Sequence, residues 1–197
     1  MVPHPSTAEP KNAVSSSDPA GRFPVRAALV VVAVVLAVQI PGVLAARRFT
    51  FTKWSVDFEQ SYGPAAESIL AGRGPRLPDG RIMTHYPPGY PYYAAGLRAA
   101  ARKTGTPLVG WVVAGNLLWN ALTVLGAFLI GRRLGGTWTA AVSGLLAGLY
   151  PPVLYMSKIA FVQIPYLTFL IWGLWAVLAG HQLKRIVLFG LAGALYG

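Results

Sequence analysis

The sequence predicts an all-α protein: a polytopic bundle of membrane-spanning helices, with interfacial helices in a long first outer loop. Three observations predict it. Hydrophobic residues make up 54% of the chain and charged residues only 12%, about half the charged share of a soluble domain. The apolar residues collect in runs, several of them long enough to cross a hydrocarbon core of about 30 Å. The polar residues collect mainly in one block, residues 47–106, after the first run.

Residues 1–24 are rich in Pro, Ser, Ala and Asp and show no apolar period, so they read as a disordered cytoplasmic tail. Ala27 to Ala46 is the first span, and Gln39 is its only strongly polar member. The run exceeds the roughly 7–15 apolar residues of a signal peptide and ends in Leu44-Ala45-Ala46-Arg47-Arg48, which favours a retained helix.

The block 47–106 holds nine Lys/Arg together with Asp57, Glu59, Glu67 and Asp79. Asp57 to Ala71 has a helical apolar period through Tyr62, Ala66, Ile69 and Leu70, and Gly72-Arg73-Gly74-Pro75 ends it. Leu77 to Gly89 is loop, with Pro78-Asp79-Gly80 a turn. Pro91 to Lys103 is a second helix, apolar on one side and basic at its end. Both helices suit the membrane surface.

Further spans follow at about 107–131, 137–150 and 159–179, with Arg132-Arg133 between the first two and Pro151-Pro152 after the second. Ile186 to Gly197 opens another run. Its twelve residues reach only about 18 Å, so the expectation is an N-terminal part of a longer protein. Arg22, Arg26, Arg132, Arg133, Lys184 and Arg185 fall on one side of this arrangement, which predicts a cytoplasmic N-terminus and an outer block 47–106.

The net charge is +11, from 17 Lys+Arg against 6 Asp+Glu. The basic residues lie in the tail and loops, beside anionic lipid. No basic stripe with interleaved stacking aromatics appears, which argues against nucleic acid. The absence of cysteine excludes disulfides, thiolate metal sites and a Cys nucleophile.

Asp57 is the sharpest candidate for chemistry. It follows the first span, beside Trp54 and Phe58, and a carboxylate there can accept a proton from a hydroxyl. The plainer role is a helix N-terminal carboxylate complementing the dipole. Glu59 and Glu67 are candidate second carboxylates or solvated face residues. Asp57, Glu59, Glu67 and His85 lack a recognised metal-ligand spacing, so no metal or cofactor is expected. His85-Tyr86-Pro87-Pro88-Gly89-Tyr90-Pro91-Tyr92-Tyr93 is an extended aromatic segment leading into a helix start, suited to a sugar or lipid, or to an interfacial belt. Arg73, Arg76, Arg81, Arg98, Arg102 and Lys103 are candidates for a lipid phosphate, or plain loop charge. Asn116 and Asn120 share a helix face and suit bonding to another helix. Lys158 and Gln163 stand near outer span ends, where a polar cavity is possible.

The order Asp57-Phe58, Tyr62, Ala66, Ile69-Leu70-Ala71-Gly72, then Tyr86-Pro87-Pro88-Gly89-Tyr90-Pro91, resembles the first outer loop of GT-C membrane glycosyltransferases. The resemblance is to the protein-mannosyltransferase and aminoarabinose-transferase type, glycosyltransferase family 39, and covers about residues 27–197. It implies transfer of a sugar from a polyprenyl-phosphate donor to an acceptor on the outer face, with inversion. It places Asp57 as base or acceptor-orienting group, and makes Glu59, Tyr62, Arg73, Arg81, His85, Tyr86 and Tyr90 candidate substrate-binding residues. The chain departs from that pattern where Phe58 separates Asp57 from Glu59, and where Gln163 stands in place of a glutamate. The acceptor is left open. A non-catalytic assembly or lipid-binding module is the second reading, and part of a transporter the third.

Overall fold

The computed structural model describes residues 24–50, 54–84 and 89–183. Its elements are α1 (Val25–Thr50), a π-helical turn (Phe58–Tyr62), α2 (Gly63–Leu70), α3 (Gly89–Thr104), α4 (Leu108–Leu149), α5 (Pro151–Met156) and α6 (Gln163–Leu183). Among the described residues the only β pairing is an isolated bridge between Arg76 and Ile82. Three helices are long and apolar enough to cross a membrane: Val25–Ala45, Leu108–Leu149 and Gln163–Gly180. The run at 186–197 and the tail at 1–23 lie outside the described residues.

At 1.5 Å per residue, α4 would be about 63 Å long, twice a hydrocarbon core. It does not run straight. Gly135 and Gly136 leave helical geometry, and Gly136 has φ +79°, a conformation costly for any residue with a Cβ. The chain then folds back on itself. Gly131 closes on Thr139 and Ser143, and Gly144 and Gly148 on Val124, which is the pairing of two antiparallel legs. The expected break between spans at 131 and 137 is present as a tight turn at Gly135 and Gly136 that separates the two legs.

The seam between α1 and α4 is built from small and β-branched residues. Ala28, Val31, Val35, Gln39 and Val43 are buried, while Leu29, Val30, Val34, Val38 and Leu44 face outward. Val31 and Val35 sit over Gly144 and Gly148, whose missing side chains let the helices approach. Gln39 Nε2 donates to the Gly148 carbonyl at 2.8 Å. Between α4 and α6, Thr168 donates to the Trp119 carbonyl at 3.0 Å, and Trp172 Nε1 to the Leu122 carbonyl at 3.0 Å. Such bonds align helices where lipid offers no polar alternative.

Residues 54–104 form a small module at the end of the bundle opposite Gly135. Its core is Phe58, Tyr62, Ala65, Ala66, Met83, Tyr90, Ala94 and Ala95, and it reaches Val112 at the start of α4 and Ala160 before α6. The two expected loop helices are present and packed on each other. The first begins with a π-helical turn, and α3 starts at Gly89, two residues before Pro91. The fourth predicted span begins later than expected, at Gln163. Residues 157–162 are instead the turn between α5 and α6, which receives bonds from α4. Asn116 Nδ2 donates to the carbonyls of Ser157 at 3.1 Å and Ile159 at 2.8 Å, and Asn120 Nδ2 to Ser157 Oγ. These asparagines share a face as expected, but their partners are in the α5–α6 turn rather than on another helix.

Candidate functional site

Asp57 is exposed, at the start of the helical segment that carries Phe58 and Tyr62. Its carboxylate makes no capping bond. Ser55 caps instead: the Phe58 N–H donates to Ser55 Oγ at 3.3 Å. The Ser55 hydroxyl in turn donates to the Ala160 carbonyl at 2.8 Å. One serine thus starts the helix and ties it to the α5–α6 turn. The chain two residues before Asp57 thus lies against the chain two residues after Lys158. The Lys158 ammonium sits 4.3 Å from the Tyr155 ring centroid.

The other predicted residues separate into groups. Glu59 is exposed beside Asp57. Tyr62 is 1% exposed and packs edge-on against Tyr90 with ring centroids 4.7 Å apart, so it offers a ligand no surface and serves the module's core. Arg73 is exposed at the far end of α2, and Arg81 is engaged by Asp79, with Nε and Oδ2 at 2.6 Å. His85 and Tyr86 lie outside the described residues. Among the described residues the predicted set is not gathered into one pocket. Asp57 and Glu59 mark one end of the module and Arg73 the other.

Tyr90 belongs to a different feature. A chain of ring contacts runs from Tyr62 through Tyr90, Tyr93 and Trp119 to Phe169, leading from the module into the bundle. Along it lies an apolar cavity of about 290 Å³, lined by Tyr90, Tyr93, Trp119, Pro165, Tyr166 and Phe169. Tyr93 Oη and Trp119 Nε1 are buried without completing a well-formed hydrogen bond. Burial pushes the Tyr90 and Tyr93 phenols above their ordinary range, so both are protonated at neutral pH and neither is a base. Trp119 was not singled out by sequence reasoning. Its signal was available, as an indole in the middle of an apolar run.

Among the described residues no three His, Asp or Glu side chains converge on a point that would hold a metal ion. Gln163, exposed at the first position of α6, cannot ionise. The chemistry on offer is the exposed Asp57 carboxylate, the Lys158 ammonium on the α5–α6 turn and an aromatic-lined apolar cavity. No protein-family model, no curated protein and no solved structure matches the chain.

Proposed function

We propose that the chain belongs to a membrane glycosyltransferase that moves a sugar from a polyprenyl-phosphate donor to an acceptor hydroxyl. The reaction takes place on the outer face of the cell membrane, with the N-terminus in the cytoplasm. The observation that carries this reading is the bond from Ser55 to Ala160. It ties the segment that carries the exposed Asp57 to the turn that bears Lys158. In this reading the acceptor oxygen attacks the anomeric carbon from the face opposite the phosphate. The bond to the phosphate oxygen breaks, and the acceptor's proton passes to the Asp57 carboxylate. Lys158 stabilises the departing lipid phosphate. The apolar cavity beside Trp119 suits an isoprenoid chain.

The test is Asp57→Asn in the protein reconstituted in lipid with a labelled polyprenyl-phosphate sugar. Loss of transfer with donor binding retained supports the assignment. Transfer at the wild-type rate removes Asp57 from the mechanism.

Gln163 favours a second reading, a lipid-binding or assembly module without turnover. It is distinguished by donor binding with no transfer in wild-type protein.

A further inference from the structure

We propose that the hollow between α2 and the hairpin at residues 76–82 is a phosphate-binding site, with Arg73 and Arg76 as its ligands. The hollow has a volume of about 470 Å³ and is lined by Glu67, Ser68, Arg73, Arg76, Leu77 and Gly80, among others. It lies at the end of α2 remote from Asp57. It stands independently of the Asp57 chemistry above.

Charge accounting points to an anion. Glu67 on the wall is already engaged by Arg98 and Arg102, at 2.5 and 2.6 Å. Asp79 is engaged by Arg81. Arg73 and Arg76 remain as surplus cations on the same hollow, with no ion-pair partner among the described residues. Arg76 is held in place before any ligand arrives. Its Nε donates to the Arg73 carbonyl at 3.1 Å and its Nη1 to the Gly80 carbonyl at 2.9 Å, leaving Nη2 for a ligand. The Arg73 backbone is fixed by its N–H bond to the Ser68 carbonyl at 2.9 Å. A guanidinium oriented in advance loses little freedom on binding, and its fork matches phosphate oxygens. The buried Ser68 on the wall adds a hydroxyl within the hollow. The hollow is roomier than a phosphate alone, which leaves space for a phosphate ester, either a lipid headgroup or a soluble phosphorylated molecule.

Two arms distinguish these sources. In neutral detergent, inorganic phosphate is titrated calorimetrically. In parallel, native mass spectrometry compares retention of phosphatidylglycerol with that of phosphatidylcholine. Saturable phosphate binding assigns a soluble ligand, and selective phosphatidylglycerol retention assigns a headgroup. In either case Arg73→Gln weakens binding about tenfold. Arg76→Lys, which keeps the charge and loses the fork, also weakens it. No anion binding in either arm, or equal binding by wild type and Arg73→Gln, overturns the site.

Discussion

Glu67 on α2 is ion-paired with Arg98 on α3, Oε1 to Nη1 at 2.5 Å, and the Arg98 side chain is only 24% exposed. Arg102, one turn further along α3, takes the other carboxylate oxygen at 2.6 Å. Arg98 also lies over the Phe58 ring, 5.6 Å from its centroid. One carboxylate therefore clasps the two helices of the module, and one guanidinium extends the clasp to the π-helical turn. Exposed pairs contribute little, but the Arg98 contact is partly shielded and bonded to a charged group. Glu67→Gln is expected to destabilise the module by about 1 kcal/mol. Arg102→Ala, at the more exposed partner, should cost less. Limited proteolysis between residues 71 and 89 reads the difference, and equal protection in both variants would dismiss the clasp.

The hairpin next to that clasp carries a pH dependence whose sign follows from Asp79. The Arg81 N–H donates to Asp79 Oδ1 at 3.0 Å, and the Arg81 guanidinium to Oδ2 at 2.6 Å. These bonds, the backbone one first, hold the Asp79 carboxyl below the ordinary aspartate value of 3.8. A carboxylate depressed in the folded state stabilises above its unfolded pKa, and that contribution disappears as pH falls through the folded value. The turn should thus be unchanged from neutral pH down to about pH 4 and loosen only in stronger acid. A carboxyl-carbon NMR titration should place the Asp79 midpoint below 3.8. Arg81→Ala should raise it, and an unmoved midpoint would refute the pairing.

Much of the bundle was legible in the sequence because lipid imposes a simple rule. An apolar run of span length marks α1 and α6, and a basic pair before two glycines marks the fold-back of α4. Asn116 and Asn120 were legible for the same reason, since an amide on a spanning helix needs a partner. The site was less legible because its geometry depends on contacts distant in sequence. Ser55 and Ala160 are 105 positions apart, and nothing in the local period of either announces their bond. Tyr62 and Tyr90 illustrate a second difficulty. A tyrosine suits an interfacial belt, a sugar platform or a buried stack equally well by composition, and only the edge-on contact decides for the stack. The Gly144…Gly148 spacing was a readable sign of close helix approach, although it does not by itself name Val31 and Val35 as the partners.

That glycine pair yields a prediction about the bundle. A Cβ on Gly148 would lie 2.6 Å from Val124 Cγ2 and 2.6 and 2.8 Å from the two Cγ atoms of Val35. These are β-branched side chains with little rotamer freedom in a helix, so they cannot swing aside. Gly148→Ala should therefore force α1 away from α4 and destabilise the bundle by about 1–3 kcal/mol. The carbonyl that receives Gln39 would shift with it. Val35→Ala removes one side of the clash, so the double variant should recover part of the loss. Unfolding in mixed micelles of increasing denaturing detergent reads both. A single variant as stable as wild type would show that the seam is looser than drawn.

Gly115 offers the sharpest test of how the module is seated on the bundle. A Cβ at Gly115 would overlap the hydroxyl of Tyr93 and approach its Cζ at 3.2 Å. Tyr93 comes from α3, and Trp119 one turn below Gly115 stacks edge-on against it with centroids 5.8 Å apart. The hydroxyl is buried without a well-formed hydrogen bond, so removing it sacrifices little. Tyr93→Phe alone should thus be close to neutral, whereas Gly115→Ala should push α3 off α4 and distort the cavity beside Trp119. Combining them should restore much of the seat, because the hydroxyl overlap is gone and the ring carbon left at 3.2 Å from the added methyl needs to give by only a few tenths of an ångström. Trp119 fluorescence in variants lacking the other indoles reports the ring contact directly. Gly115→Ala should shift the emission, the double variant should return it, and a failure of Tyr93→Phe to rescue would place the clash elsewhere on α3.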